Sequence, residues 1–237
     1  MADMSTRYIS RDEARALTPG SEHYTAYVGP PEDYDFMGAT QFRLLCALGL
    51  RAQHQLLDFG CGSLRAGRFL IPYLEAGHYC GIEPNGWLIE DAIEREIGAD
   101  QIRIKQPRFL HHDSFDCSAF SQPFDYIVAQ SIFSHCGADL IHLGLQEFAA
   151  NLAPQGLAVV TFIHPETGEE SSSASGWIYP DCVSHSVSRV EEWIRDASLH
   201  GCRIPWYHPR QTWWILARDP NRLPSDEEQS LLRGAVL

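Results

Sequence analysis

No apolar run in this 237-residue chain approaches the roughly 18 residues that would cross a bilayer, so a membrane-spanning helix is not expected. No C-x-x-C pair occurs either. The seven cysteines, Cys46, Cys61, Cys80, Cys117, Cys136, Cys182 and Cys202, are odd in number and widely spaced, which suits free thiols in a reducing compartment and not a disulfide framework. Positive charge is scarce: 18 Lys and Arg stand against 31 Asp and Glu, a formal net charge of −13. Arg and Lys are dispersed without a basic run, so a phosphate backbone would be repelled and counterion release would not help. Nucleic acid is therefore not an expected partner, and neither is a membrane. The first 17 residues scatter charges where an export signal would need an apolar stretch, which makes the cytoplasm the expected location.

What is present belongs to an ordinary globular protein, with 44% hydrophobic and 11% aromatic residues. The length fits one large domain better than two small ones. Composition divides it into an N-terminal appendage or lid over 1–39, a main domain over 40–219 and an acidic tail over 220–237, with a Ser-rich, lid-like insertion at 164–186. Within the appendage, Ser10 could cap a short helix, and Gly29-Pro30-Pro31 rules out a long one. Within the main domain, apolar spacing predicts a helix over 40–50, then a strand at Leu56 and Leu57 that ends on Asp58. Gly60 and Gly62 break the chain, and helical spacing resumes from Leu64. A second strand over 78–83 closes on Glu83, and a helix follows over 88–97. Strands are expected over 108–111 and 124–130, a helix within 135–152, and a strand over 157–163. Ser188 and Glu191 have capping-box spacing for a helix that runs to about His200, and a strand pair over 202–207 and 211–217 ends the domain.

Alternating strands and helices that finish in two strands close in sequence predict a doubly wound α/β fold. Its mostly parallel, seven-stranded sheet would have an antiparallel last strand. In such sheets ligands bind beyond the carboxyl ends of the strands. Polar residues stand at those exits in this sequence: Asp58 with the glycines after strand one, Glu83 after strand two, Asp113 after strand three, Gln130 and Ser131 after strand four. Glycines between strand and helix let backbone N–H groups approach a small polar ligand closely.

These residues resemble the class I S-adenosylmethionine-dependent methyltransferases, which have a Rossmann-like fold. LLDFGCGSLRAG, from Leu56, is similar to their nucleotide-binding motif, GIEPN to the acidic end of strand two, HHDSF to the adenine-side loop, and LAPQGLAVVTF to the entry of strand five. The likeness runs from about Gln53 to Ala217 and implies S-adenosylmethionine as cofactor. It also implies roles: Gly60 and Gly62 back the methionine portion, Glu83 accepts hydrogen bonds from the ribose hydroxyls, and Asp113 receives the adenine amino group. Pro84 and Ser114 flank the ring, while Asp58, Cys61, Gln130 and Ser131 complete the cofactor set. The chain departs from the family at Leu64, where many members have a small residue. Arg65, next to it, is placed to reach the methionyl carboxylate or to form a surface ion pair.

The cofactor is a sulfonium cation bearing a diol, an adenine and an amino-acid zwitterion, and carboxylates with backbone donors suit it. A nicotinamide-dependent oxidoreductase would also use a glycine turn and an acid after strand two. The G-x-G-x-x-G pattern fails here, however, because Arg65 holds the third glycine position. A catalytically silent cofactor-binding partner is the other alternative. Methyl transfer mostly requires alignment, and a base helps if the nucleophile is a hydroxyl. His135 after strand four and His164 after strand five are the candidates, each weighed against a structural, hydrogen-bonded imidazole. His111 is more readily structural, and Cys61 and Cys136 read as inert thiols. No acid pair with Asp-Asn after strand four occurs, and adjacent residues in His111-His112-Asp113 point to opposite faces, so no metal is expected. Asn-Pro-Pro-Tyr, the signature of amino-group methylation on bases, is also missing, which favours oxygen, sulfur or carbon acceptors, oxygen first. The acceptor is expected among aromatics, Tyr27 and Tyr34 in the N-terminal stretch, Trp177 and Tyr179 in the insertion, and Trp206, Tyr207 and His208 near the end. That lining suits a small aromatic or glycosyl molecule. Oligomeric state is not readable from the sequence.

Overall fold

A computed structural model describes residues 6–166 and 171–232. Seven strands, β1 (Leu56–Phe59), β2 (Tyr79–Ile82), β3 (Arg108–Leu110), β4 (Phe124–Ala129), β5 (Leu152–Phe162), β6 (His200–Ile204) and β7 (Thr212–Ala217), form one mixed sheet in the order β3-β2-β1-β4-β5-β7-β6. This is the predicted Rossmann-like α/β fold, antiparallel last strand included. The antiparallel strand is last in sequence but lies between β5 and β6, not at an edge. The chain divides into two compact units, residues 1–53 with 61–112 and residues 54–60 with 113–237. Among the described residues no helix is long and apolar enough to cross a membrane.

In the first unit β2 and β3 run parallel, with Gly81 opposite Phe109. Around them are α1 (Arg11–Ala14), α2 (Tyr24–Tyr27), α3 (Tyr34–Ala47), α4 (Gly67–Tyr73), α5 (Gly86–Ala92), which runs on into a π-helical turn over Ile93–Ile97, and α6 (Ala99–Lys105). Ser10 caps α1 in a full capping box with Glu13, as its position predicts. The helix expected over 40–50 starts earlier, at Tyr34, because the 3-10 turn Pro31–Asp33 feeds straight into it. Sequence periodicity misses α6, and the reason is physical: none of its residues is buried, so it has no apolar face to read. The described part of the N-terminal appendage is packed into this unit. Tyr24, Tyr34 and Leu88 form a buried cluster against which Tyr27, Val28 and Trp87 lie.

In the second unit β1 pairs with β4 and β4 with β5, all parallel, and β7 runs antiparallel to both β5 and β6. Its helices are α7 (Ala138–Asn151), α8 (Val187–Asp196) and α9 (Asp226–Leu231). Strand β5 is longer than predicted, taking in Pro154 and Gln155, which were expected to separate helix from strand; its register shifts between Phe124 and Tyr126 of β4. Gly156 allows this, since a Cβ there would stand 2.8 Å from Phe124 O. The cap of α8 is Ser186, whose side chain accepts from Arg189 N, and not the Ser188–Glu191 box. Trp213 and Trp214 point to opposite faces yet are both buried, which shows that β7 is covered on both sides. The described part of the tail has a 3-10 turn at Pro220–Arg222 and α9, which a Ser225–Glu228 capping box starts; Arg222 Nε donates to Gln155 O. The 164–186 insertion is irregular apart from a bridge between Cys136 and Trp177. Parts of three expected segments lie outside the described residues: 1–5 of the appendage, 167–170 of the insertion and 233–237 of the tail.

Candidate functional site

In the first unit the site is built on the turn that follows Gly60. Gly62 has φ +52°, and its N–H donates to Glu83 Oε2 at 3.1 Å. Leu64, where the sequence departs from the family, also has φ +52°, and its N–H returns to Cys61 O at 2.9 Å. A left-handed leucine costs on the order of 1 kcal/mol, and its effect is to delay α4 until Gly67. Cys61 is buried and its N–H donates to Ile82 O, which ties the turn to β2.

Glu83, one residue beyond β2, is only 7% exposed. Its Oε1 accepts from Asn85 N and from Asn85 Nδ2, both at 2.9 Å, and its Oε2 from Gly62. A carboxylate has about four lone-pair directions, so three are filled and one remains on Oε2. Burial raises the Glu83 pKa above the usual carboxylate value, against the lowering pull of these hydrogen bonds. His111 Nδ1 donates to Glu83 O at 3.0 Å, the structural role expected of it. Pro84 is exposed, and Arg65 Nη1 donates to Val28 O at 2.9 Å.

In the second unit Asp58 is buried at the end of β1, and Gly60 has φ +70° with Ile132 filling the space where a side chain would begin. Asp113 and Ser114 are exposed, and Asp113 O accepts from Trp177 Nε1 at 3.0 Å. That bond holds the Trp177 ring flat on Phe115, centroids 5.6 Å apart and planes 5° apart, and Phe115 stacks in turn on Phe59 at 4.6 Å. Gln130 is buried and its Oε1 has no hydrogen-bond partner. Ser131 has φ +61°; its N–H donates to Thr161 Oγ1 at 2.7 Å, and its Oγ accepts from Gln211 Nε2 at 2.9 Å. Gln211 was not among the residues singled out from sequence. It stands just before β7, and nothing in the local pattern marks it as reaching the exit of β4.

The two candidate bases differ. His135 Nδ1 donates to Asp181 O at 2.7 Å, which fixes the tautomer that leaves the Nε2 lone pair available, and burial holds its pKa below the ordinary imidazole value. His164 Nδ1 donates to His185 O at 2.7 Å, but its Nε2 accepts from Trp214 Nε1 at 3.1 Å. Both nitrogens are engaged, which supports the structural alternative for His164 over the base. The expected acceptor residues also separate. Trp177 and Tyr179 are 39% and 45% exposed, and the Tyr179 ring lies edge-on to His135 at 5.1 Å. Tyr27 packs edge-on against Trp87, while Tyr34 is buried with its hydroxyl donating to Ser63 O at 2.8 Å, which takes it out of reach of an acceptor. Trp206 is buried, Tyr207 O accepts from Trp213 Nε1, and His208 Nδ1 accepts from the backbone of Arg210 and Gln211. None of the seven cysteines is in a disulfide, and burial pushes the Cys136 thiol up, as an inert thiol requires. Among the described residues no group of three or more His, Cys, Asp or Glu could hold a metal ion.

A family model described as a methyltransferase domain matches residues 57–158. No curated protein matches the chain. Among solved structures, the chain is similar to a magnesium protoporphyrin IX methyltransferase from Synechocystis with bound S-adenosylhomocysteine. That match has 11% identity and a TM-score of 0.59 and covers 80% of this chain and 84% of the other. It is also similar to DesVI from Streptomyces venezuelae, with 15% identity, a TM-score of 0.59 and coverage of 81% and 95%. A third match is an S-adenosylmethionine-dependent methyltransferase from Clostridium acetobutylicum, with 11% identity, a TM-score of 0.56 and coverage of 78% and 93%. At these identities the structural likeness speaks to the fold.

Proposed function

We propose that the chain is a class I S-adenosylmethionine-dependent methyltransferase, a reading supported by the methyltransferase-domain match over residues 57–158, and that it methylates a hydroxyl of a small aromatic or glycosyl acceptor. The observation that supports the cofactor assignment best is Glu83, a buried carboxylate at the exit of β2 with one lone-pair direction left on Oε2. An isolated buried carboxylate is costly, and a ribose hydroxyl donating to it would offset that cost. Gly60 and Gly62 would seat the methionine portion, Asp113 would receive the adenine amino group, and Pro84 and Ser114 would lie on either side of the ring. Asp58, Cys61, Gln130 and Ser131 would complete the lining.

When bound, S-adenosylmethionine supplies a methyl group already activated on a sulfonium, ready for in-line displacement. The chain's own residues then have to hold the acceptor, exclude water and remove one proton. We assign that proton to His135 Nε2, because the Asp181 carbonyl fixes the required tautomer and burial keeps the ring neutral near physiological pH. Trp177 and Tyr179 offer the acceptor exposed aromatic surface beside it. Two measurements test the reading. In titration with S-adenosylhomocysteine, Glu83→Ala should weaken binding by about 1.5–3 kcal/mol, the range for a hydrogen bond to a charged group, and unchanged affinity would remove Glu83 from the ribose. With labelled cofactor and a metabolite extract, His135→Gln should lower turnover by about 10²–10⁴-fold at unchanged affinity for S-adenosylhomocysteine. Tight binding without any labelled product from the wild type would favour the silent-partner alternative.

A further inference from the structure

Arg65, whose position in the motif suggests the methionyl carboxylate, has a partner in the N-terminal segment. Following the left-handed Leu64, its guanidinium lies along the N-terminal segment: Nη1 donates to Val28 O at 2.9 Å, and a Cβ at Gly29 would stand 3.5 Å from the same nitrogen. The backbone of Arg65 is held from the other side by α3, where only a glycine fits: a Cβ at Gly38 would fall on Arg65 O. Val28 in turn covers the glycine turn, its Cγ1 lying within 2.7 Å of the place a Gly62 Cβ would take. Tyr34 holds the intervening residue, donating to Ser63 O at 2.8 Å. Residues 62, 63 and 65 of the turn are thus each fastened to, or covered by, the N-terminal segment. The Gly62–Glu83 hydrogen bond lies at the same turn.

We propose that Arg65 is a positioning residue of the cofactor seat: it straps Val28 over the Gly62 turn, so that residues 27–29 hold in place the amide that orients Glu83. The proposal rests on the methyltransferase reading and deepens it. A charge-assisted bond from the guanidinium to the Val28 carbonyl fixes the segment, and a valine over the turn keeps water from the amide that donates to Glu83. Arg65 therefore acts through the segment on the Glu83 side of the seat, which both ligands named below share, and not on the methionyl carboxylate.

The test uses the full chain and two ligands, S-adenosylhomocysteine and 5′-methylthioadenosine, which lacks the amino-acid portion. Arg65→Met should raise the dissociation constants of both by a similar factor, about tenfold, with faster dissociation. Arg65→Lys should recover part of the loss, and Val28→Ala, which leaves the guanidinium in place, should weaken both ligands to a smaller extent. Loss confined to S-adenosylhomocysteine in Arg65→Met would mean that Arg65 grips the carboxylate, and would overturn the proposal. Unchanged affinities in both Arg65→Met and Val28→Ala would overturn it as well. Should Arg65→Met fail to fold, Val28→Ala decides alone. A wild-type chain that binds neither ligand would sink the methyltransferase reading itself.

Discussion

The two units of the chain are held together by different chemistry. In the first, short helices are fastened by charge. Arg7 grips Asp91 with two bonds of 2.8 and 3.0 Å, Arg11 and Arg68 both meet Glu96 at 3.1 Å, and Tyr24 donates to the same Glu96 at 2.6 Å. The Arg68 guanidinium also lies 4.9 Å from the centre of the Tyr34 ring. In the second, rings do the same work: Phe59, Phe115 and Trp177 stack in series, and Phe133 lies against Phe115, Phe148 and Phe162. The difference follows from element length. Helices of four residues such as α1 and α2 cannot bury enough apolar area to repay their ordering, so directional polar bonds fix them. The long strands β5 and β7 bury whole rows of side chains and need no such help.

The contrast can be tested by perturbing each unit separately. The largest effect is expected from Phe115→Ala, about 3–5 kcal/mol of stability by denaturant unfolding, because a buried ring at the middle of the stack leaves a cavity. Hydrogen exchange should then show β4 and β5 losing more protection than β2 and β3; equal loss in all four strands would break the comparison. Next comes Arg68→Met, which takes from Glu96, at 10% side-chain exposure, one of its two arginine partners and leaves it Arg11 and the Tyr24 hydroxyl. Its cost should be about 1–2 kcal/mol, below that of leaving a buried charge unpaired, and should centre on α3 to α5. Tyr34→Phe removes the bond to Ser63 O and the longer one accepted from Ser63 Oγ at 3.4 Å, and should cost about 1 kcal/mol, read as a small fall in melting temperature.

The smallest effect is the one of pH. His135, His164 and His185 in the second unit, and His23 in the first, are all held below the ordinary imidazole pKa chiefly by burial. Unfolding lets each take up a proton near pH 6.5, so their contribution is complete above about pH 6.5 and is lost as pH falls through their lowered folded values. Melting temperature should therefore fall on the acid side, with the second unit losing exchange protection first. A flat profile between pH 7 and 5 would remove the histidines from the account.

Some of this was legible in the residues alone. The strands were, because buried strands are continuous apolar runs and their polar exits stand out against them, as Asp58, Glu83 and Gln130 do. The glycine turn was legible too, since Gly60 and Gly62 take positive φ that few other residues accept. Helix α6 was not, having no buried face, and neither was the cap at Ser186, which lacks the Glu that makes a capping box recognisable. His164 illustrates the limit on chemistry. Its position after β5 suggested a base, yet a donor from Trp214, fifty residues away in sequence, fills the nitrogen a base would need.

By itself the sequence determined the strand–turn–helix order and the acidic strand exits, and through both the resemblance on which the proposed cofactor rests, because these depend on periodicity and on residue types within a few positions of one another. Only the tertiary structure decided which of those residues keep a free hydrogen-bonding site. His135 retains a lone pair and His164 does not, Tyr34 is closed in while Tyr179 is open, and Arg65 faces Val28. Those outcomes depend on partners brought together from distant parts of the chain, and local spacing carries no record of them.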